Sequence, residues 1–185
     1  MNMVKYLILI LLILILAFSC QNPFAPPVIG PGSFRPIAQQ VDPDSVLFNF
    51  KYAYENRDSV VYANCLDRDF VFKFWNQDNL GQLIEDELYR DAPGNDLDIT
   101  GQVFRYFDEI RLDSWTIRVQ PDSILGVDTL KIRDAFFHLS LRDTNGDRNY
   151  EHLEASGIAH FVFKRDPQDY LWRILLWDDR LNQYY

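Results

Sequence analysis

From Ile110 onward the apolar residues fall at alternate positions, and the runs are too long and too regular for anything but β-strands. They cover 110–119, 130–142, 152–164 and 170–178. The joints are "QPDSILGVD", "DTNGDRN" and "RDPQD", where Pro, Asp, Asn and Gly supply turn chemistry. Connections this short cannot cross over a sheet, so successive strands must be antiparallel neighbours. The C-terminal half of the chain is thereby committed to one antiparallel sheet.

The last run, "YLWRILLWDD", makes the strongest physical demand. Tyr170, Trp172, Ile174 and Leu176 share one parity, and Leu171, Leu175 and Trp177 the other. A regular strand sends the two sets to opposite faces. Both faces are apolar, so both must be covered. Trp172 is expected in the core with Ile174 and Leu176, and Trp177 on the opposite face. That face would need the proline-rich segment, a second copy of the chain or a protein partner to cover it.

Ahead of the strands the period is helical. Asp42 is placed to cap a helix with Pro43 at its first position, and Val46, Phe50, Ala53 and Tyr54 form one stripe. Asp58 is placed to cap a short second helix carrying Val61, Tyr62, Cys65 and Leu66. "DFVFKFW" then alternates and predicts a short strand. Leu80, Leu83, Ile84 and Leu88 predict a third helix, ended by "DAPGND". Asp98 is expected to cap a further helical turn or two with Ile99, Val103, Phe104 and Phe107, a strand over 103–107 being the competing reading. Helices first and a meander of long strands last is an α+β pattern, with helices packed on one sheet face.

These elements resemble a known family. The opening helix with "AYENRD" (Ala53 to Asp58), the short second helix, "DFVFKF" and the closing "LWRILLWDD" are similar to nuclear transport factor 2-like domains, over about residues 43–180. The resemblance implies a cystatin-like cone, in which a strongly curved antiparallel sheet wraps on its N-terminal helices and leaves a pocket at the open end. Another helix-on-sheet α+β domain is the alternative. Sheet-to-sheet dimers are also implied. Some members, ketosteroid isomerase and polyketide cyclases among them, place an acid/base aspartate or histidine in the cone. No motif of those enzymes stands in this sequence, so no catalytic residue is carried over.

The N-terminus gives an address. Lys5 precedes the apolar stretch Tyr6 to Phe18, a charged n-region and an h-region shorter than the roughly 20 residues of a membrane-spanning helix. Leu16, Ala17, Phe18 and Ser19 lead into Cys20, which resembles the lipobox of a bacterial lipoprotein signal. The resemblance implies that Cys20 receives lipid and becomes the new N-terminus. An ordinary cleaved signal with a free thiol and a short uncleaved anchor are the alternatives. The expected organisation is a signal peptide over 1–19, a lipidated cysteine with a proline-rich tether over 20–42, and one domain over 43–185. The tether holds five of the nine prolines, extended and semi-stiff, and its apolar residues suit it to lying partly across the domain. A lipid-anchored cell-envelope location follows, with the outer membrane or the periplasmic face as its place. Cys65, within an apolar pattern, reads as a small buried hydrophobe and not as a disulfide partner of Cys20.

Composition excludes one class of partner. The formal net charge is −9, and loss of residues 1–19 would remove Lys5 and make it one unit more negative. Nucleic acid is not expected as a partner, because its binding needs clustered Lys and Arg.

Candidate chemistry is sparse. Asp143, Asn145, Asp147 and Glu154 approach the ligand spacing of a calcium loop, but Arg148 stands where that loop needs glycine and the flanks are strand-like. Asn145-Gly146 reads instead as a hairpin turn. His138, His152 and His160 lie on strands without zinc-ligand spacing. Tyr54, Asp113, Trp115 and His138 are generic pocket candidates, since a carboxylate among aromatics has its pKa raised and can act as a base. The competing reading leaves Asp113 in solvent and the aromatics in the core. No metal and no cofactor is implied. The expected role is non-catalytic binding or interaction, with a small isomerase-, cyclase- or hydrolase-like enzyme as the alternative. A dry aromatic cone would favour binding, and a convergent polar constellation would favour catalysis.

Overall fold

The computed structural model describes residues 37–77, 81–91, 93–120, 130–144 and 152–180. Cys20, the signal stretch, most of the tether and the Asn145-Gly146 turn lie outside these residues. Helix α1 (Pro43–Asn56) begins as its sequence dictates: Asp42 accepts from the Ser45 backbone N–H at 2.6 Å, and the Ser45 hydroxyl answers to the Asp42 backbone. This reciprocal capping box satisfies donors that the first turn leaves orphaned. The helix stops at Arg57, whose φ of 55° is left-handed. Asp58 then caps α2 (Ser59–Cys65) through the Val60 and Val61 N–H groups.

Strands β1 (Leu66–Gln77) and β2 (Leu83–Tyr89) form a hairpin, followed by α3 (Asp96–Tyr106) and the meander β3 (Glu109–Val119), β4 (Leu130–Arg142), β5 (His152–Arg165) and β6 (Trp172–Arg180). The sheet order is β2-β1-β6-β5-β4-β3. Every neighbouring pair is antiparallel except β1 with β6. The α+β architecture of helices on one curved, mostly antiparallel sheet is therefore the observed one.

Two sequence expectations are corrected. Residues 83–89 are a strand and not a helix. Leu83 and Ile84 are 57% and 43% exposed, so the helical stripe finds no core. The segment is held instead by its ladder to β1 and by Lys73, which bridges Glu85 and Glu87 across it. The last predicted helix does form, but it starts at Asp96, so Asp98 lies in its first turn and accepts from the Gly94 N–H.

The second correction concerns β6. Phe161 pairs with Trp177 and Phe163 with Ile174, both on the inner face, while the register slips between Val162 and Phe163. One extra residue, Leu175, is accommodated there as a bulge, and a bulge reverses the alternation beyond it. Trp172, Ile174, Trp177 and Asp179 consequently share the inner face. The two tryptophans are on the same side of the sheet. The outer face of β6 retains half-buried Leu175 and Leu176 beside Arg173 and Asp178.

The core lies between α1, α2 and the concave face of the sheet. Phe50 on α1 is its hub, in contact with Tyr54, Tyr62, Phe161 and Trp177 at ring separations of 5.0 to 5.6 Å. Cys65 is fully buried, and burial pushes its thiol up to about 12. Residues 37–41 are strapped onto this body. Asn49 exchanges two 2.8 Å hydrogen bonds with the Ala38 backbone, and the Trp172 N–H donates to the Gln40 carbonyl at 2.8 Å.

Candidate functional site

A cavity of about 180 Å³ opens between α1 and the concave sheet face. Helix α1 contributes Phe50 and Tyr54, β1 Phe72, and β3 Leu112 and Trp115. Strand β4 adds Phe137 and Leu139, β5 adds Ala155, Ala159 and Phe161, and β6 adds Trp177 and Asp179. Large rings from the helix and the outer strands surround a floor of small residues on β5. Gly157 lies between these alanines at the same parity: a Cβ there would come within 3.4 Å of both the Phe137 ring and Asp179 Oδ1.

Two strand irregularities aim this lining. The β6 bulge turns Trp177 and Asp179 inward. On β3 the register with β4 slips between Asp113 and Thr116, where Ser114 takes a φ of 54°. Leu112 and Trp115 both face the cavity as a result, although a regular strand would oppose them. Of the residues singled out from the sequence, Tyr54 and Trp115 line the cavity. Asp113 does not; it is exposed and pairs with His138 in the sheet register. His138 also points away, because Phe137 and Leu139 on either side of it face in. Its ring Nδ1 lies 3.1 Å from the Ser156 hydroxyl, and its Nε2 lies 3.8 Å from Glu154. Among the described residues, no group of three His, Cys, Asp or Glu side chains could hold a metal ion.

The polar atoms of the cavity are few. Tyr54 contributes its ring only, since Thr100 and Tyr62 engage its hydroxyl. Burial, with the charge of Asp96 beside it, pushes that hydroxyl's pKa well above the ordinary range. Tyr62 in turn donates to Asp96 Oδ2 at 2.8 Å, and burial raises the Asp96 carboxyl to about 6. This polar chain sits behind the cavity wall and closes on itself. One group is left for a ligand. Asp179 has no hydrogen-bonding partner among the described residues, and burial, with the charge of neighbouring Asp178, pushes its carboxyl up. The Trp177 indole Nε1–H is buried without an acceptor among those residues. Sequence reading missed Asp179, because "WDD" at a strand end looks like solvated charge until the bulge is counted.

No family model matches the chain, and no curated protein does. Solved structures do. A candidate scytalone dehydratase from Novosphingobium aromaticivorans superposes with a TM-score of 0.54 at 13% identity, covering 77% of this chain and 85% of that one. A candidate dehydratase of the nuclear transport factor 2-like family from Streptomyces avermitilis gives 0.51 at 14% identity, covering 77% and 95%. A conserved protein from Planctomyces limnophilus gives 0.52 at 16% identity, covering 74% and 90%. At such identities the likeness speaks for the architecture alone. The helices on a six-stranded curved sheet, with its pocket, have the nuclear transport factor 2-like fold.

Proposed function

We propose that this protein is a lipid-anchored, non-catalytic binding protein of the bacterial cell envelope, whose cone cavity takes a small apolar ligand. The lining of the cavity carries the reading: its described residues include no His, Lys, Arg or Cys, and among them only Asp179 bears a charge. An apolar cavity of about 150 Å³ in another protein stays dry and admits benzene, so a cavity of similar size here accommodates a body of one ring. A single carboxylate can take a proton and return it, but the charge that develops on the substrate needs donors aimed at it. An enzymatic reading would use Asp179 as base, but the described lining residues include no His, Lys, Arg or Cys to stabilise that charge.

The binding reading is tested at the mouth. Ala155 is exposed and lines the cavity from β5. Ala155→Trp should place an indole across the opening and leave the core intact. Titration calorimetry with 2-phenylethanol, a neutral one-ring probe, should show saturable binding to the parent protein. Binding by the variant should be weaker by about tenfold or more, the loss of roughly 1.4 kcal/mol of contact. Unchanged affinity would show that the probe binds elsewhere.

Support for the anchor lies in Lys5, the apolar stretch and Cys20. Among the described residues, no helix is long and apolar enough to cross a membrane. Cys20→Ser should release the protein from the membrane fraction and abolish labelling by a fatty-acid analogue. Retention of both would place the anchor elsewhere.

A further inference from the structure

We propose that the ligand of this cavity is a small organic cation, a protonated amine on an apolar body about one ring in size. The proposal rests on reading the cavity as a binding site, and it follows from what the site leaves unsatisfied. Asp179 stands on the inner face of β6 above Gly157, with no hydrogen-bonding partner among the described residues. Among the described lining residues, none carries a positive charge to neutralise it. Asp179 is half-buried; a carboxylate partly withdrawn from water without a partner carries a cost, and an ammonium placed against it offsets that cost.

The walls favour the same ligand. Trp177 and Phe72 meet with ring centroids 4.4 Å apart, and Trp115, Phe137 and Phe161 complete an aromatic enclosure. Aromatic faces attract cations through the ring quadrupole, most strongly for tryptophan and most strongly where water is excluded. They give an anion no such compensation. Carboxylate and enclosure together match an ammonium head within an apolar pocket. Burial and the charge of Asp178 both disfavour the ionised form of Asp179, and a bound cation opposes both effects. At longer range the acidic chain, with its formal net charge of −9, draws cations toward the opening.

The test compares three probes of one shape on the full-length protein at pH 7.5, by calorimetry: phenethylammonium, neutral 2-phenylethanol and anionic 3-phenylpropanoate. Phenethylammonium should bind at least about tenfold more tightly than the alcohol, and the anion most weakly. Asp179→Asn should abolish the advantage of the cation and leave the alcohol within about twofold of its parent affinity, as expected for a nearly isosteric change. An alcohol that binds as tightly as the ammonium, or a cation advantage that survives Asp179→Asn, overturns the cation inference and leaves the cavity reading standing. Failure of all three probes to bind the parent protein overturns both.

Discussion

Trp172→Ala is expected to lower the unfolding free energy by about 3 to 5 kcal/mol, the usual cost of truncating a large buried aromatic. Trp172 is 5% exposed, belongs to the continuous core and has the Lys131 ammonium 5.5 Å from its ring centroid. A domain has only about 5 to 15 kcal/mol of stability in hand, so the variant should sit close to unfolding at ambient temperature. Trp177→Ala should also destabilise, because the indole contacts Phe50, Phe72 and Phe161. Its loss should be smaller, since one side of the ring already borders a cavity. Neither variant should change the mass of the protein in solution, because both side chains point inward. Urea midpoints and light scattering on the two variants decide the matter. A change of association state with unaltered stability in Trp177→Ala would return that side chain to the outer face.

Asp96→Asn is expected to make the protein more stable at neutral pH, by about 2 to 3 kcal/mol. Asp96 is 3% exposed, and among the described residues its only side-chain hydrogen bond is the one that Tyr62 donates to it. Burial raises its carboxyl from the ordinary 3.8 to about 6. The folded state therefore holds this proton over a range where the unfolded chain has released it. The stabilisation is whole below about pH 4 and is lost as pH rises through about 6. Asparagine keeps an acceptor for Tyr62 and carries no charge to desolvate. Asp96 does open α3, where the helix dipole favours a negative charge. That effect is worth about 0.3 to 1 kcal/mol, less than the burial term, so removal of the charge should win. Denaturant midpoints at pH 4 and pH 7.5 should differ less in the variant than in the parent. An equal pH dependence in both, with the variant weaker at pH 7.5, would mean that Asp96 is held charged.

Much of the fold could be read from local chemistry, because the signals are local. Asp42 and Pro43 start α1 where the pattern says they should, and Asp58 starts α2 in the same way. Turn residues bracket β4, which spans 130–142 as its alternation predicts. Strand β2 was hidden because Leu80, Leu83, Ile84 and Leu88 satisfy the helical spacing. The better sign was Glu85 and Glu87, alternate acids that meet Lys73 across the ladder. The cavity was only half legible. Tyr54 follows from the helical stripe, and Trp115 was named with Asp113 as a generic candidate on the same strand. The slip at Ser114 separates that pair, and no glycine or proline marks it. Leu175 likewise carries no compositional sign of a bulge, so Asp179 stayed invisible.

The two bulges mean that the interior of this cone is written partly in arithmetic. Alternation along a strand is a wave of period two, and each extra residue advances its phase by half a cycle. Strand β3 is out of phase with itself across Ser114, and β6 across Leu175. Removal of one residue at either place would turn the same letters inside out, sending Trp115, or Trp177 with Asp179, to solvent and their neighbours to the cavity. Single-residue insertions and deletions are therefore discrete switches on this scaffold. They exchange the chemistry of the pocket for that of the surface with hardly any change in composition, and no comparison made position by position would register the exchange.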